Sequence, residues 1–276
     1  MPRAVEEIRE RLYEAAADPS ADVAGSTLWI AIEEYPDLKP GPYLDYLSKL
    51  AERVTETAAN DTSPAGWRRA LASEIFERER FVGNRNDYYD PRNSYLNDVI
   101  DRRLGIPITL AVVYLGVARR AGRSAAGLNT PGHFLLWDGD VVIDPFHGGR
   151  KIQRDALLAQ LEQAGVDRPV ERLDWIQRHP ADTGSILTRM LVNLRTNHLT
   201  RKDVPRALAA VDRLVHLDPE NPSWLRDRGA LYQRLDCARA AAADLEAYLE
   251  RAPDDPEADV IRQAIVRLSR DLPPLQ

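Results

Sequence analysis

The sequence predicts an α+β protein, mainly helical, with a small antiparallel sheet near its middle and helical hairpins towards its end. Three observations predict it. Apolar residues recur at three-and-four spacing through much of the first ninety residues, two short apolar runs flank Asp138-Gly139, and the last third repeats itself at a step of 34 residues.

The composition narrows the function. A chain of 276 residues with 44% hydrophobic side chains has enough material for about two packed domains. Its 37 basic and 43 acidic residues are interleaved, net −6, whereas a nucleic-acid surface needs clustered positive charge to displace phosphate counterions. The opening MPRAVEEIRERLYEAAA alternates charges where a secretory leader needs an apolar core, so none is expected. The longest apolar run, ITLAVVYLGVA at 108–118, falls far short of the roughly 20 residues that span a bilayer and reads as a buried helix. With Cys237 as the single cysteine, no intramolecular disulfide can form, and a cytoplasmic protein is expected.

Taken in order, AVEEIRERLYEAAA, GPYLDYLSKLAERVTETA and SPAGWRRALASEIFERERF read as amphipathic helices, the last opening on Ser63 as cap and Pro64 in the first turn. Their charged faces suggest solvated surfaces over a core. A turn-rich polar stretch then leads into a helix around Tyr95 to Arg103 and another from Pro107 to Ala121. Gly105 breaks the first of these and Gly122 ends the second.

The stretch TPGHFLLWDGDVVIDPFHGG reads as a β-hairpin. If Asp138 and Gly139 form a two-residue turn, Trp137 pairs with Asp140 and, counting on, His133 falls opposite Asp144. Directly opposed residues share a face, with Cβ atoms about 4.5–5.5 Å apart, so imidazole and carboxylate meet. A turn longer by one residue would shift the register and weaken that inference. Such a pair is either a base with its orienter or a structural pair that holds the hairpin together.

The segment from DYYDPRNSYLNDVIDRRLGIPITL through PGHFLLW to IDPFHGG resembles the SirB1 family of bacterial proteins, with a core similar to the transglutaminase and cysteine-protease fold. The likeness spans roughly residues 25 to 175. In that fold a catalytic cysteine opens a buried helix, a histidine begins a following strand and an aspartate lies on the next. The resemblance therefore implies that His133 and Asp144 match the last two. It also implies a departure, because the nucleophile position falls on Pro107.

Proline offers neither thiol nor backbone N–H. In cysteine hydrolases the amide of the nucleophile residue helps bind the oxyanion, and loss of one such donor costs about 2.7–4 kcal/mol. What proline supplies is a first helical residue with φ preset near −65°. Thr109 is the nearest hydroxyl, but two residues along a helix turn a side chain by about 200°. Ser94 and Thr130 are the other hydroxyls, if the loops bring them to His133, whereas Cys237 belongs to the repeats. Asn93 and Asn97 either donate hydrogen bonds into the cleft or make local turn and cap bonds. The dyad His133 and Asp144 is thus read as vestigial, with Asn93, Asn97, Thr109 and Thr130 as cleft candidates.

No metal or cofactor is expected. Asp138, Asp140, Asp144, His133 and His147 belong to a turn and two strands, and metal sites need ligands that converge. No glycine-rich turn opens a helix in the manner of a phosphate loop.

In the last third, Ala207 aligns with Ala241, Ala209 with Ala243, Pro219 with Pro253 and Pro222 with Pro256, each pair 34 apart. That period marks tetratricopeptide helical hairpins. Gly229, Tyr232, Ala241 and Pro253 stand where small, aromatic, small and terminating residues belong, and Cys237 lies between two helices. Arg195, Arg201, Lys202 and Arg228 either line a face that grips acidic peptide ends or are solvated charges.

The expected organisation is a helical lead-in over 1–90, a transglutaminase-like core over 91–180 and tetratricopeptide-like repeats over 185–276. The expected function is non-catalytic binding of a protein or peptide partner through a degenerate cleft and the repeats, with no nucleic acid and no membrane. The alternative is a cysteine-independent hydrolase or acyltransferase built on His133 and Asp144.

Overall fold

The computed structural model describes residues 5–270, which fall into two compact units that meet in sequence at Met190 and Leu191. The first begins with α1 (Val5–Ala17), α2 (Val23–Glu34), α3 (Pro40–Ala58) and α4 (Pro64–Ala72), the last continuing as a π-helical turn over Ser73–Arg78. Ser63 caps α4 as its sequence predicts, its hydroxyl accepting the N–H of Gly66 at 3.1 Å. A short strand β1 (Val82–Gly83) pairs in parallel with β2 (Leu104–Gly105), and between them lie a 3-10 turn (Pro91–Asn93) and α5 (Leu96–Arg102).

The unit is built around α6 (Pro107–Arg120), in which every residue from Pro107 to Ala118 is buried. A helix apolar on all sides has no face to give to solvent, and α6 packs against α2, α3, α5 and the central sheet. That sheet is antiparallel, in the order β3 (Ala126–Thr130), β4 (His133–Trp137), β5 (Val142–Asp144), β6 (Arg150–Ile152). Leu128, Leu135, Val142 and Ile152 on one face pack with Leu157 and Leu161 of α7 (Arg154–Gln163) and Leu173 and Ile176 of α8 (Pro169–Arg178). Phe134, Leu136 and Ile143, which alternate with them, are also buried. Burial of both faces explains why HFLLW carries a run of apolar residues and no alternation.

The hairpin differs from its predicted form. Its loop holds four residues, Asp138 to Val141, because Asp138 Oδ1 accepts the N–H groups of Asp140 at 3.2 Å and Val141 at 2.9 Å in an Asx turn. Trp137 therefore pairs with Val142 and Leu136 with Ile143. Two extra loop residues slide each partner by two positions, which preserves the face that every side chain occupies. His133 and Asp144 become diagonal neighbours on one face.

The second unit contains the end of α9 (Thr183–Thr200), then α10 (Val204–Leu217), α11 (Ser223–Arg234), α12 (Ala238–Arg251) and α13 (Ala258–Arg270), each packed on the next from α10 onwards. Helices α10 and α12 start and end 34 residues apart, so the sequence period is the period of the structure. Gly229 permits close approach of α11 and α12, since a Cβ there would lie 3.0 Å from Leu245 Cγ and 3.3 Å from the Ala241 carbonyl oxygen. Cys237 is exposed at the start of α12.

Candidate functional site

Asp144 ends β5, and its side chain organises the turn that follows. Oδ1 accepts the backbone N–H groups of Phe146 at 3.0 Å and His147 at 3.2 Å, while the Asp144 carbonyl oxygen accepts Gly149 N–H at 2.9 Å. Gly148 and Gly149 both hold positive φ there, which explains the glycine pair after DPFH. On the neighbouring strand His133 follows the Pro131-Gly132 turn, and its Nε2 lies 3.1 Å from Asp144 Oδ1. The other carboxylate oxygen, Oδ2, meets His147 Nδ1 at 2.7 Å. One carboxylate thus serves two imidazoles and two backbone amides.

Asp144 is only 2% exposed, and its two imidazole partners are about a quarter to a third exposed. Burial alone would raise the carboxyl pKa, but the hydrogen bond and charge of His133, followed by those of His147, bring it down to about 2. The group is an anion at neutral pH. Both imidazoles border a cavity of about 230 Å³ whose other walls are Thr130, Pro131, Arg150, Leu157, Gln160 and Leu161. His147 and Arg150 also border a larger cleft of about 680 Å³ beside β1, with Gly83, Asn84, Arg85 and Phe146.

The residues singled out in the sequence fall into two places. Thr130 lines the smaller cavity with His133 and Asp144, its hydroxyl donating to the His133 carbonyl oxygen at 2.7 Å. Asn93, Thr109 and Pro107 form part of the packing at the start of α6. Thr109 Oγ1 accepts Ile106 N–H at 3.1 Å and donates to the Asn93 carbonyl oxygen at 2.8 Å, so this hydroxyl caps the helix. The Asn93 amide donates to the carbonyl oxygens of Asp87 at 2.8 Å and Tyr88 at 3.1 Å, and its Oδ1 accepts from Asn84 at 3.0 Å. Asn97 is buried on α5 and its Oδ1 has no hydrogen-bond partner. Pro107 is the buried first residue of α6, and no residue of α6 is among those that line the cavity beside His133.

His147 is the participant that sequence reasoning set aside. The sequence places it in a turn away from His133 and Asp144, yet the Asx turn folds it back by three residues onto the carboxylate. The signal is the spacing Asp-x-x-His followed by two glycines, which becomes informative once the aspartate is known to cap its own turn. Asp138 and Asp140 do not join the group and pair instead with Arg68.

In the second unit, Arg195 pairs with Asp227 at 2.6 Å, and Arg228 grips both oxygens of Asp244 and one of Asp212. These two arginines are matched within the repeats. The hydrogen bonds to Asp244, despite burial, hold the Arg228 guanidinium above its ordinary pKa.

A helix-centred core with a His–Asp pair on adjacent strands, followed by 34-residue helical hairpins, defines a transglutaminase-like domain with tetratricopeptide repeats. The transglutaminase-like superfamily matches residues 42–192, and tetratricopeptide repeats match residues 194–266. A UPF0162 protein of Xylella fastidiosa is 37% identical over 263 residues, 92% of each chain. Another UPF0162 protein, from Pseudomonas aeruginosa, is 30% identical over 90% of this chain and 92% of its own. Protein SirB1 of Salmonella typhimurium is 25% identical over 80% of this chain and 83% of its own. The chain belongs to the transglutaminase-like family of SirB1 and UPF0162 proteins. No solved structure matches it, and among the described residues no helix is long and apolar enough to cross a membrane.

Proposed function

We propose that this protein binds a protein or peptide partner in the cytoplasm and does not carry out cysteine-based acyl transfer. The residue that carries this reading is Pro107: where the resemblance puts the nucleophile of transglutaminase-like enzymes, the chain has a ring without thiol or N–H, buried at the start of α6. Loss of a triad nucleophile costs about a millionfold in rate, against the hundredfold to ten-thousandfold that a placed base contributes. Tetratricopeptide repeats generally mediate protein–protein contacts, which supports the repeats as the recognition surface.

The test is retention of a defined partner, identified by mass spectrometry from cells expressing the tagged full chain. The reading expects the partner to be retained by full-length protein and by His133→Ala, and to be lost when residues 191–276 are removed. Failure to retain any specific partner overturns it.

A second reading rests on the intact hydrogen bond between His133 and Asp144 beside an open cavity. In it, His133 activates water for hydrolysis or acyl transfer without a cysteine. Turnover of an amide or ester that vanishes in His133→Ala and persists in Cys237→Ala would establish it.

A further inference from the structure

We propose that His133, Asp144 and His147 form a binding site for one divalent transition-metal ion of the zinc class, beyond the partner-binding role. Each residue offers one ligand atom, and the three atoms all lie within 4.8 Å of one another. Two imidazole nitrogens and one carboxylate oxygen suit zinc, and three protein donors leave a fourth tetrahedral position open, the pattern of an exchangeable site.

Holding one ion requires the three donors to draw together. The imidazole–carboxylate distances are 3.1 Å to Oδ1 and 2.7 Å to Oδ2, whereas ligands bonded to zinc at about 2.0–2.1 Å stand about 3.3 Å apart along a tetrahedral edge, so donors that now lie up to 4.8 Å apart close by as much as about 1.5 Å. Both imidazoles are partly exposed, so each can turn about its side-chain torsions to make that adjustment. The ion replaces two N–H···O contacts. To bind the ion, each ring presents the nitrogen that faces Asp144 as a lone pair, and any proton held there is displaced. The Phe146 and His147 amides fix the orientation of the Asp144 carboxylate. Arg150 Nε, 3.7 Å from Asp144 Oδ2, opposes a cation, but its side chain is 58% exposed and free to swing into solvent. The cavity provides an entry path, and the polar end of Gln160 on its wall is available to water or an anionic group on the ion.

The experiment uses full-length protein stripped with chelator, titrated with zinc chloride in a calorimeter and with cobalt(II) chloride in a spectrophotometer. The expected result is one zinc per chain and an intense visible cobalt spectrum of tetrahedral type. His133→Ala and His147→Ala should each weaken zinc binding by more than about a hundredfold, the upper end of what loss of an outer-shell partner costs, while His179→Ala leaves it unchanged. Absence of zinc binding by folded wild type, or binding that survives both alanine variants, overturns the proposal. If either variant loses its cooperative melt, the wild-type cobalt spectrum decides: a tetrahedral spectrum sustains the site and that of the free aquo ion overturns it.

Discussion

His133 Nε2 lies 3.1 Å from Asp144 Oδ1 although the two residues are not directly opposite in the sheet. A loop of four residues moves their strands by two positions, and parity keeps both side chains on one face. The contact survives because a diagonal same-face neighbour, roughly 7–8 Å away between backbones, is within reach of an imidazole.

The carboxylate of Asp144 holds that arrangement together. Asp144→Ala leaves the Phe146 and His147 amides and two imidazoles without their acceptor, and the expected cost is about 2–4 kcal/mol of stability, at about 1–3 kcal/mol for a buried unsatisfied group with partial relief from solvent. Asp144→Asn, which keeps Oδ1, should lose roughly half as much on the same scale. Urea denaturation with chelator present measures both; equal losses for the two variants would contradict the assignment of the backbone amides to Oδ1.

Phe146, in the same turn, rests on Gly83 of β1. A Cβ at Gly83 would lie 2.4 Å from Phe146 Cδ2, so Gly83→Ala must push the ring aside. Overpacking of this kind costs about 1–3 kcal/mol. A melting temperature unchanged from wild type would show that the ring is not seated there.

In the repeats, Arg228→Ala leaves Asp244 and Asp212 facing each other without their shared cation. Removing one partner of a fully buried pair costs about 3–5 kcal/mol, and partial exposure reduces the expectation here to about 1–3 kcal/mol. A double-mutant cycle with Asp244→Ala should recover most of that as coupling; additive losses would remove the bidentate pair from the account.

The first unit should weaken in acid. Asp90 is buried, which by itself raises its pKa, but side-chain and backbone hydrogen bonds from Arg92 and the charge of Arg102 lower it overall. Glu79 is lowered in the same sense, its burial offset by Tyr46, Arg103 and Arg53. A carboxyl whose folded pKa lies below its unfolded value contributes fully above that unfolded value, about 3.9–4.3, and loses the contribution as pH falls through the folded pKa. Stability to urea should therefore fall between pH 5 and pH 2, approximate bounds set by those unfolded values, and Asp90→Asn should flatten part of the fall. A pH-independent midpoint over that range would contradict it.

Much of this architecture was legible because its signals are local. The unbroken apolar run of α6 says buried helix, the 34-residue step says paired helices, and strand alternation puts His133 and Asp144 on one side whichever even-length loop joins them. What stayed hidden depends on distant or all-round contacts. Helix α2, VAGSTLWIAIEE, is buried on nearly every side, so it lacks the polar stripe by which an amphipathic helix is recognised. The hairpin loop is set by Asp138 capping its own turn and is bound from outside by Arg68, 70 residues away, where the Asp-Gly pair alone suggests a tighter turn. The matched arginines of the repeats and the return of His147 to Asp144 likewise require the folded chain.

The most direct test of the central claim is turnover by purified wild-type protein across a panel of amide, ester and amine-incorporation substrates, measured beside His133→Ala and Cys237→Ala. The account predicts wild-type rates no higher than those of His133→Ala on every substrate. A rate abolished in His133→Ala and retained in Cys237→Ala would contradict it.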